Sequence, residues 1–81
     1  MYFVYYLHSK VNNDLYIGSC EDVDKRLCQH NAGRVRSTKA YRPWELLGSE
    51  NFNTRSEAVL RERHLKNHQQ KEILKRKFGV L

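Results

Sequence analysis

Tyr5 and Tyr16 stand eleven residues apart, Arg26 follows Tyr16 by ten, His30 comes one helical turn later, and Glu62 adds a lone carboxylate further along. Hydrolysis of a phosphodiester needs an activated water, stabilisation of charge on the phosphoryl oxygens, and help for the departing alkoxide. This ordered set contains what a minimal metal-dependent phosphodiesterase would need. Each residue alone has a plainer reading. Tyrosines in a hairpin are usually packing residues with a wet hydroxyl. Arg26 could pair with Asp22 across one turn, a surface contact of about 0.3–0.5 kcal/mol. His30 could cap its helix, and Glu62 could bridge to Lys66 at i, i+4.

The elements that must carry these residues are legible from the hydrophobic period. Tyr2 to Ser9 is rich in β-branched and aromatic types, Asn12-Asn13-Asp14 supplies turn chemistry, and Leu15 to Cys20 resumes a strand, which together predict a β-hairpin. With an even loop, alternation puts Tyr5, Tyr16 and Gly18 on one sheet face. Gly18 would leave space there for backbone or substrate to approach. From Asp22 the period turns helical, with Val23, Leu27 and His30 at i, i+4 and i+7. Glu21 and Asp22 favour the positive end of this helix, and Asn31-Ala32-Gly33 closes it. Arg26 and His30 then share a face beside Leu27.

Arg34 to Arg42 carries cations without an apolar period and is expected to be a solvent-exposed loop ended by Pro43. Trp44 to Phe52 reads as a third strand. Thr54-Arg55-Ser56-Glu57 is a capping box opening a second helix that should run to about His68. Glu62 falls on its inward side between Ala58 and Leu65, where a carboxylate is costly unless paired or metal-bound. Gln69 to Phe78 reads as a third, basic helix ended by Gly79, with Ile73 and Leu74 as its apolar side. The expected class is α+β: a small three-stranded antiparallel sheet flanked by helices, in the order β-β-α-β-α-α, forming one domain over residues 1–81.

A domain of 81 residues has room for one thin core, since chains this small bury only about 60% of their unfolded surface. Fifteen Lys and Arg against nine Asp and Glu give a formal charge of +6. That balance favours a polyanionic partner, with nucleic acid first, and argues little about fold. No stretch reaches the roughly 20 apolar residues of a spanning helix. The apolar start lacks a basic leader, so a cytoplasmic location is expected. Cys20 and Cys28 then read as free thiols rather than a disulfide.

Phe3-Val4-Tyr5, Tyr16-Ile17-Gly18, Arg26-x-x-x-His30 and Ala58-x-x-x-Glu62, in this order over about Tyr2 to Phe78, resemble the GIY-YIG nuclease superfamily, in particular its stand-alone single-domain members. Phe3 departs from the pattern, which has a glycine there. The resemblance implies a metal-dependent endonuclease whose site comprises Tyr5, Tyr16, Arg26, His30 and Glu62, with Gly18 structural. Glu62 would be the sole protein ligand of one divalent ion, Mg²⁺ or Mn²⁺. Arg26 would stabilise the non-bridging oxygens, a contact whose loss costs about 10²–10³ in rate. A tyrosine would take the proton from water; Tyr5 is favoured, with Tyr16 orienting water or phosphate. At a pKa near 10 only about one phenol in a thousand is ionised at neutral pH, so a cation has to assist. His30 would relay the proton or hold the tyrosine hydroxyl.

Arg34, Arg36, Lys39, Arg42 and Lys66, with Tyr41 for stacking and the basic last helix, form the expected DNA surface, and RNA stays open. Nothing reads as a major-groove reading helix, so sequence specificity should be low, or borrowed from substrate structure or a partner, and repair, recombination and mobile-element settings all stay open. A non-catalytic nucleic-acid-binding module on the same fold is the alternative. His64 and His68 at i, i+4, with the two cysteines, suggest zinc only weakly, because no tight Cys-x-x-Cys pair exists.

Overall fold

The computed structural model describes residues 1–79. Strands β1 (Tyr2–Ser9), β2 (Leu15–Cys20) and β3 (Trp44–Phe52) form an antiparallel sheet in the order β2-β1-β3, and helices α1 (Val23–Asn31), α2 (Arg55–Leu65) and α3 (His68–Phe78) flank it. The architecture is α+β in the expected order. β1 is central, and Val4, Tyr5, Tyr6 and Leu7 are all buried because both faces of this strand are covered. That is why β1 reads as a continuous apolar run instead of an alternating one.

Two apolar clusters line the two faces. Val4, Tyr6, Leu15 and Ile17 pack with Ala58 and Leu65 of α2 and Leu74 of α3. On the opposite face, Tyr5, Leu7 and Trp44 pack with Tyr16, Cys20, Val23 and Leu27, so α1 covers that side. Fully burying an aliphatic side chain such as Leu7, Ile17 or Leu65 contributes about 1.5–3 kcal/mol each. Against β3, the register slips between Tyr6 and Leu7, which leaves Leu47 as the extra residue of a bulge.

The ends of α1 are set by local chemistry. Asp22 accepts from the Lys25 amide at 3.1 Å at its start. At its end Gly33, at φ 77°, lets the amides of Gly33 and Arg34 reach the carbonyls of His30 and Gln29, a Schellman closure. Thr54 and Glu57 form the expected capping box.

The α2–α3 boundary differs from the expectation. α2 ends at Leu65, and the Asn67 side chain accepts from the Gln69 amide at 2.9 Å, so His68 opens α3 instead of closing α2. An asparagine cap diverts amides that a continuing helix would use, and a capping side chain is worth about 1 kcal/mol. Ile73 also departs, since it is 55% exposed and Leu74 alone is buried on α3. No helix among the described residues is long and apolar enough to cross a membrane.

Candidate active site

Pairing of Tyr5 with Gly18, and of Leu7 with Tyr16, puts both tyrosines and the glycine on the α1 face. The space that Gly18 leaves is filled by the tyrosines themselves. A Cβ at Gly18 would lie 2.5 Å from the Tyr5 hydroxyl oxygen and 3.1 Å from a Tyr16 ring carbon. Glycine is required there so that the Tyr5 ring can lie across β2 and aim its hydroxyl at α1.

The hydroxyl meets His30, whose Nε2 is 2.9 Å away, and His30 Nδ1 is 2.8 Å from the Thr38 hydroxyl. All three residues are buried, with exposures of 1%, 0% and 1%. His30 does not cap α1; it is a core group under the sheet. Burial first, and the Arg26 charge second, lower its pKa from 6.5 to about 4, so it is neutral near pH 7. Burial pushes the Tyr5 phenol up from 10.0 to about 12, an effect partly offset by the hydrogen-bonding Arg26 side chain beside it.

Arg26 is half-buried, and its Nη1 donates to Gln29 Oε1 at 2.9 Å. It has no carboxylate partner among the described residues, so the pairing with Asp22 is not formed. Tyr16 is half-buried too. Its ring packs edge-on to His30 and Trp44, with centroids 5.0 and 6.1 Å apart, and no protein group among the described residues hydrogen-bonds its hydroxyl.

Glu62 approaches from the other face. Ser19 pairs with Val4, on the α2 side, and its hydroxyl donates to Glu62 Oε1 at 2.6 Å. Lys66 Nζ sits 2.8 Å from Oε2 and 5.9 Å from the Tyr16 ring centroid. Because β2 is an edge strand, these side chains meet around it: Tyr16 on one side, Glu62 on the other, Lys66 between. Burial alone would raise the Glu62 carboxyl, but hydrogen bonds from Lys66 and Ser19 and the charges of Lys66 and Arg63 hold it below the usual value. The carboxylate is therefore ionised and already faces one cation.

Arg34, Arg36, Lys39, Arg42 and Tyr41 are exposed, as expected of the loop. The loop is nevertheless structured. It contains a 3₁₀ turn at Lys39–Tyr41, and Trp44 Nε1 donates to the Thr38 carbonyl at 2.9 Å. The Asn31 side chain bonds both backbone groups of Trp44, at 2.7 and 3.0 Å. The Arg42 guanidinium lies over Gly33, where a Cβ would come within 2.0 Å of it, so this cation sits at the carbonyl end of α1. The basic helix α3 packs on the opposite face through Leu74 and Phe78, so the loop and α3 do not form one surface.

Ser19, Thr38 and Asn31 escaped the sequence reading. Ser19 carried a usable signal, since it alternates with Gly18 and so falls on the sheet face opposite the tyrosines. Thr38 carried none, being one hydroxyl in a polar loop. Among the described residues no three His, Cys, Asp or Glu come together as a metal cluster, His64 and His68 lie on different helices, and both cysteines are free.

The profile of the GIY-YIG catalytic domain matches residues 1–77. The chain belongs to the GIY-YIG family, a nuclease family. It is 36% identical over 75 residues to a UPF0213 protein of Staphylococcus saprophyticus, covering 91% of this chain and 90% of the relative. A UPF0213 protein of Staphylococcus epidermidis is 37% identical with the same coverage. The solution NMR structure of a UPF0213 protein from Bacillus halodurans superposes with a TM-score of 0.56 at 31% identity, covering 91% of this chain and 82% of that one.

Proposed function

We propose that this protein is a metal-dependent endonuclease that hydrolyses DNA phosphodiester bonds with low sequence specificity. The observation that supports this best is the convergence at the β2 edge. There an ionised carboxylate, a phenol whose hydroxyl has no protein hydrogen-bond partner among the described residues and a guanidinium with no carboxylate partner among them lie on or beside β2.

The donor set fits one hard divalent ion, Mg²⁺ or Mn²⁺. Glu62 is ionised and half-buried, and the Lys66 ammonium 2.8 Å away marks where its carboxylate already accepts positive charge. Bound there, such an ion supplies charge stabilisation for the phosphoryl oxygens and the departing alkoxide. Glu62 would hold it, with Ser19 beside the same carboxylate and Lys66 close enough to meet phosphate.

Arg26 donates to the non-bridging oxygens. We assign the contact with the attacking water to Tyr16, in place of the Tyr5 favoured on sequence grounds. Tyr5 is buried against His30, and burial raises the phenol to about 12 while it lowers the imidazole to about 4, so both shifts oppose passing the proton from one to the other. Tyr5 and His30 instead orient the groups around them. Arg34, Arg36, Lys39 and Arg42 meet the backbone phosphates, which positions DNA without reading sequence.

The test is incubation of the purified protein with nicked, branched, single-stranded and duplex DNA, in Mn²⁺, in Mg²⁺ or with chelator. Cleavage that needs the metal supports the reading, and a preference for branched or nicked DNA would support a repair or recombination role. DNA binding without cleavage under every metal condition sinks it in favour of a phosphate-recognition scaffold.

A further inference from the structure

Thr38 lies in the basic loop between exposed Arg36 and Lys39, yet it is only 1% exposed. Its position is held by Trp44, whose indole bonds the Thr38 carbonyl, and Trp44 is held in turn by Asn31. The Thr38 hydroxyl therefore has a fixed place 2.8 Å from His30 Nδ1 and 3.3 Å from the Val35 carbonyl.

Donor and acceptor capacity settles the direction of this chain. A neutral phenol must place its one proton on an acceptor, and His30 Nε2 is the acceptor at hydrogen-bond distance from the buried Tyr5 hydroxyl. Nε2 is then the bare nitrogen and Nδ1 carries the proton, since the ring is neutral. The Thr38 oxygen accepts that proton, and its own goes to the Val35 carbonyl, which can only accept. Every donor points inward, from Tyr5 to His30 to Thr38 to Val35. The lone pairs of the Tyr5 oxygen are left for the side where Arg26 stands. With the chain reversed, the phenol proton would face a guanidinium that has no acceptor.

We propose that Thr38 is a positioning residue that, by accepting from His30 Nδ1–H, fixes the direction of the chain so that Tyr5 offers its oxygen to Arg26 and holds that guanidinium for phosphate. The role of Arg26 rests on the nuclease reading; the direction of the chain does not. The same loop that presents Arg36 and Lys39 to phosphate thus also sets the buried chain.

The test is the ¹⁵N imidazole spectrum of His30 near pH 7, with single-turnover cleavage measured beside it. The wild type should show the Nδ1–H tautomer. Thr38→Val keeps the shape and removes the acceptor. The ring should shift toward Nε2–H, and cleavage should fall roughly 10- to 100-fold from misplaced Arg26, with DNA affinity unchanged. Thr38→Ser should restore both tautomer and rate. A wild-type His30 in the Nε2–H form overturns the proposal, as does a Thr38→Val protein that keeps Nδ1–H, whatever its rate. The wild-type spectrum needs no variant, so a Thr38→Val chain that does not fold leaves the test intact. If the wild type cuts no DNA while the tautomers behave as stated, the nuclease reading fails and the direction of the chain stands.

Discussion

On the α1 face of the sheet, Tyr5, His30 and Thr38 are buried and neutral, and each donates a hydrogen bond to the next until a backbone carbonyl ends the chain. At the β2 edge, Glu62 and Lys66 are charged, and their side chains are 19% and 47% exposed. The first arrangement is costly to disturb, because an orphaned buried polar group costs about 1–3 kcal/mol. The second is cheaper to rearrange, because the Lys66 half of the ion pair is exposed to solvent and the Ser19 hydroxyl still donates to the half-buried carboxylate if Lys66 moves away. A metal ion or a phosphate can therefore enter at the edge, while the buried chain keeps its shape. Residues that read in sequence as one catalytic set should accordingly separate by experiment into a group that carries chemistry and a group that carries geometry.

The edge gives the largest expected effect. Glu62→Gln removes the charge and keeps the shape, so the one protein carboxylate proposed for the metal is lost and cleavage should be abolished. Folding should stay nearly intact and DNA binding should hold or strengthen, since a negative charge is lost. A variant that cuts at the wild-type rate would show that the assigned carboxylate is wrong.

The two tyrosines sharpen the contrast, since one belongs to each region. Tyr16→Phe should lower single-turnover cleavage by the roughly 10²–10⁴ typical of a lost general base, and it should abolish the rising alkaline limb of the pH–rate profile. Tyr5→Phe should keep that limb but leave His30 Nε2 without a donor, lowering stability by about 1–3 kcal/mol. The reverse pattern would restore Tyr5 as the base. Survival of the limb in both variants would remove phenols from water activation altogether.

Much of this division was hidden from the sequence for a physical reason. Local period fixes which strand residues share a face, so Tyr5, Tyr16 and Gly18 were legible together, as was the Thr54–Glu57 capping box. The order β2-β1-β3 is a long-range choice that no local pattern encodes. It alone decides that β2 is an edge and that Glu62 can reach round it. Thr38 depends on the same kind of information, because its burial comes from Trp44 and Asn31, on other elements. The Asn67 cap was readable in principle, but a polar residue between two helical periods resembles an ordinary exposed position until the chain is seen to turn there.

The buried chain makes its own prediction through pH. His30 titrates at 6.5 when unfolded and at about 4 when folded, so between these values the unfolded state binds more protons. Its contribution to stability is fully present above about pH 6.5 and is lost as pH falls through 4, a total of about 3 kcal/mol. Urea melts from pH 7 to pH 4 should show this slope in the wild type, and a shallower one in His30→Gln. Equal slopes would mean that His30 is not held neutral.

The smallest effect tests whether the loop serves both regions at once. Arg34, Arg36 and Lys39 point outward from the segment whose Thr38 points inward, so their removal should touch DNA binding and leave the buried chain alone. Each neutralised duplex phosphate adds about 0.9 to the slope of log affinity against log salt. Replacing all three cations with alanine should flatten that slope by roughly two to three. Melting temperature and the His30 tautomer should not move. A slope that does not change would assign these cations to solvent and leave DNA contact to Arg26, Arg42 and Lys66. A changed slope accompanied by a changed tautomer would show that loop and chain are one unit, and the contrast between the buried face and the edge would then have to be redrawn to place the loop with the buried face.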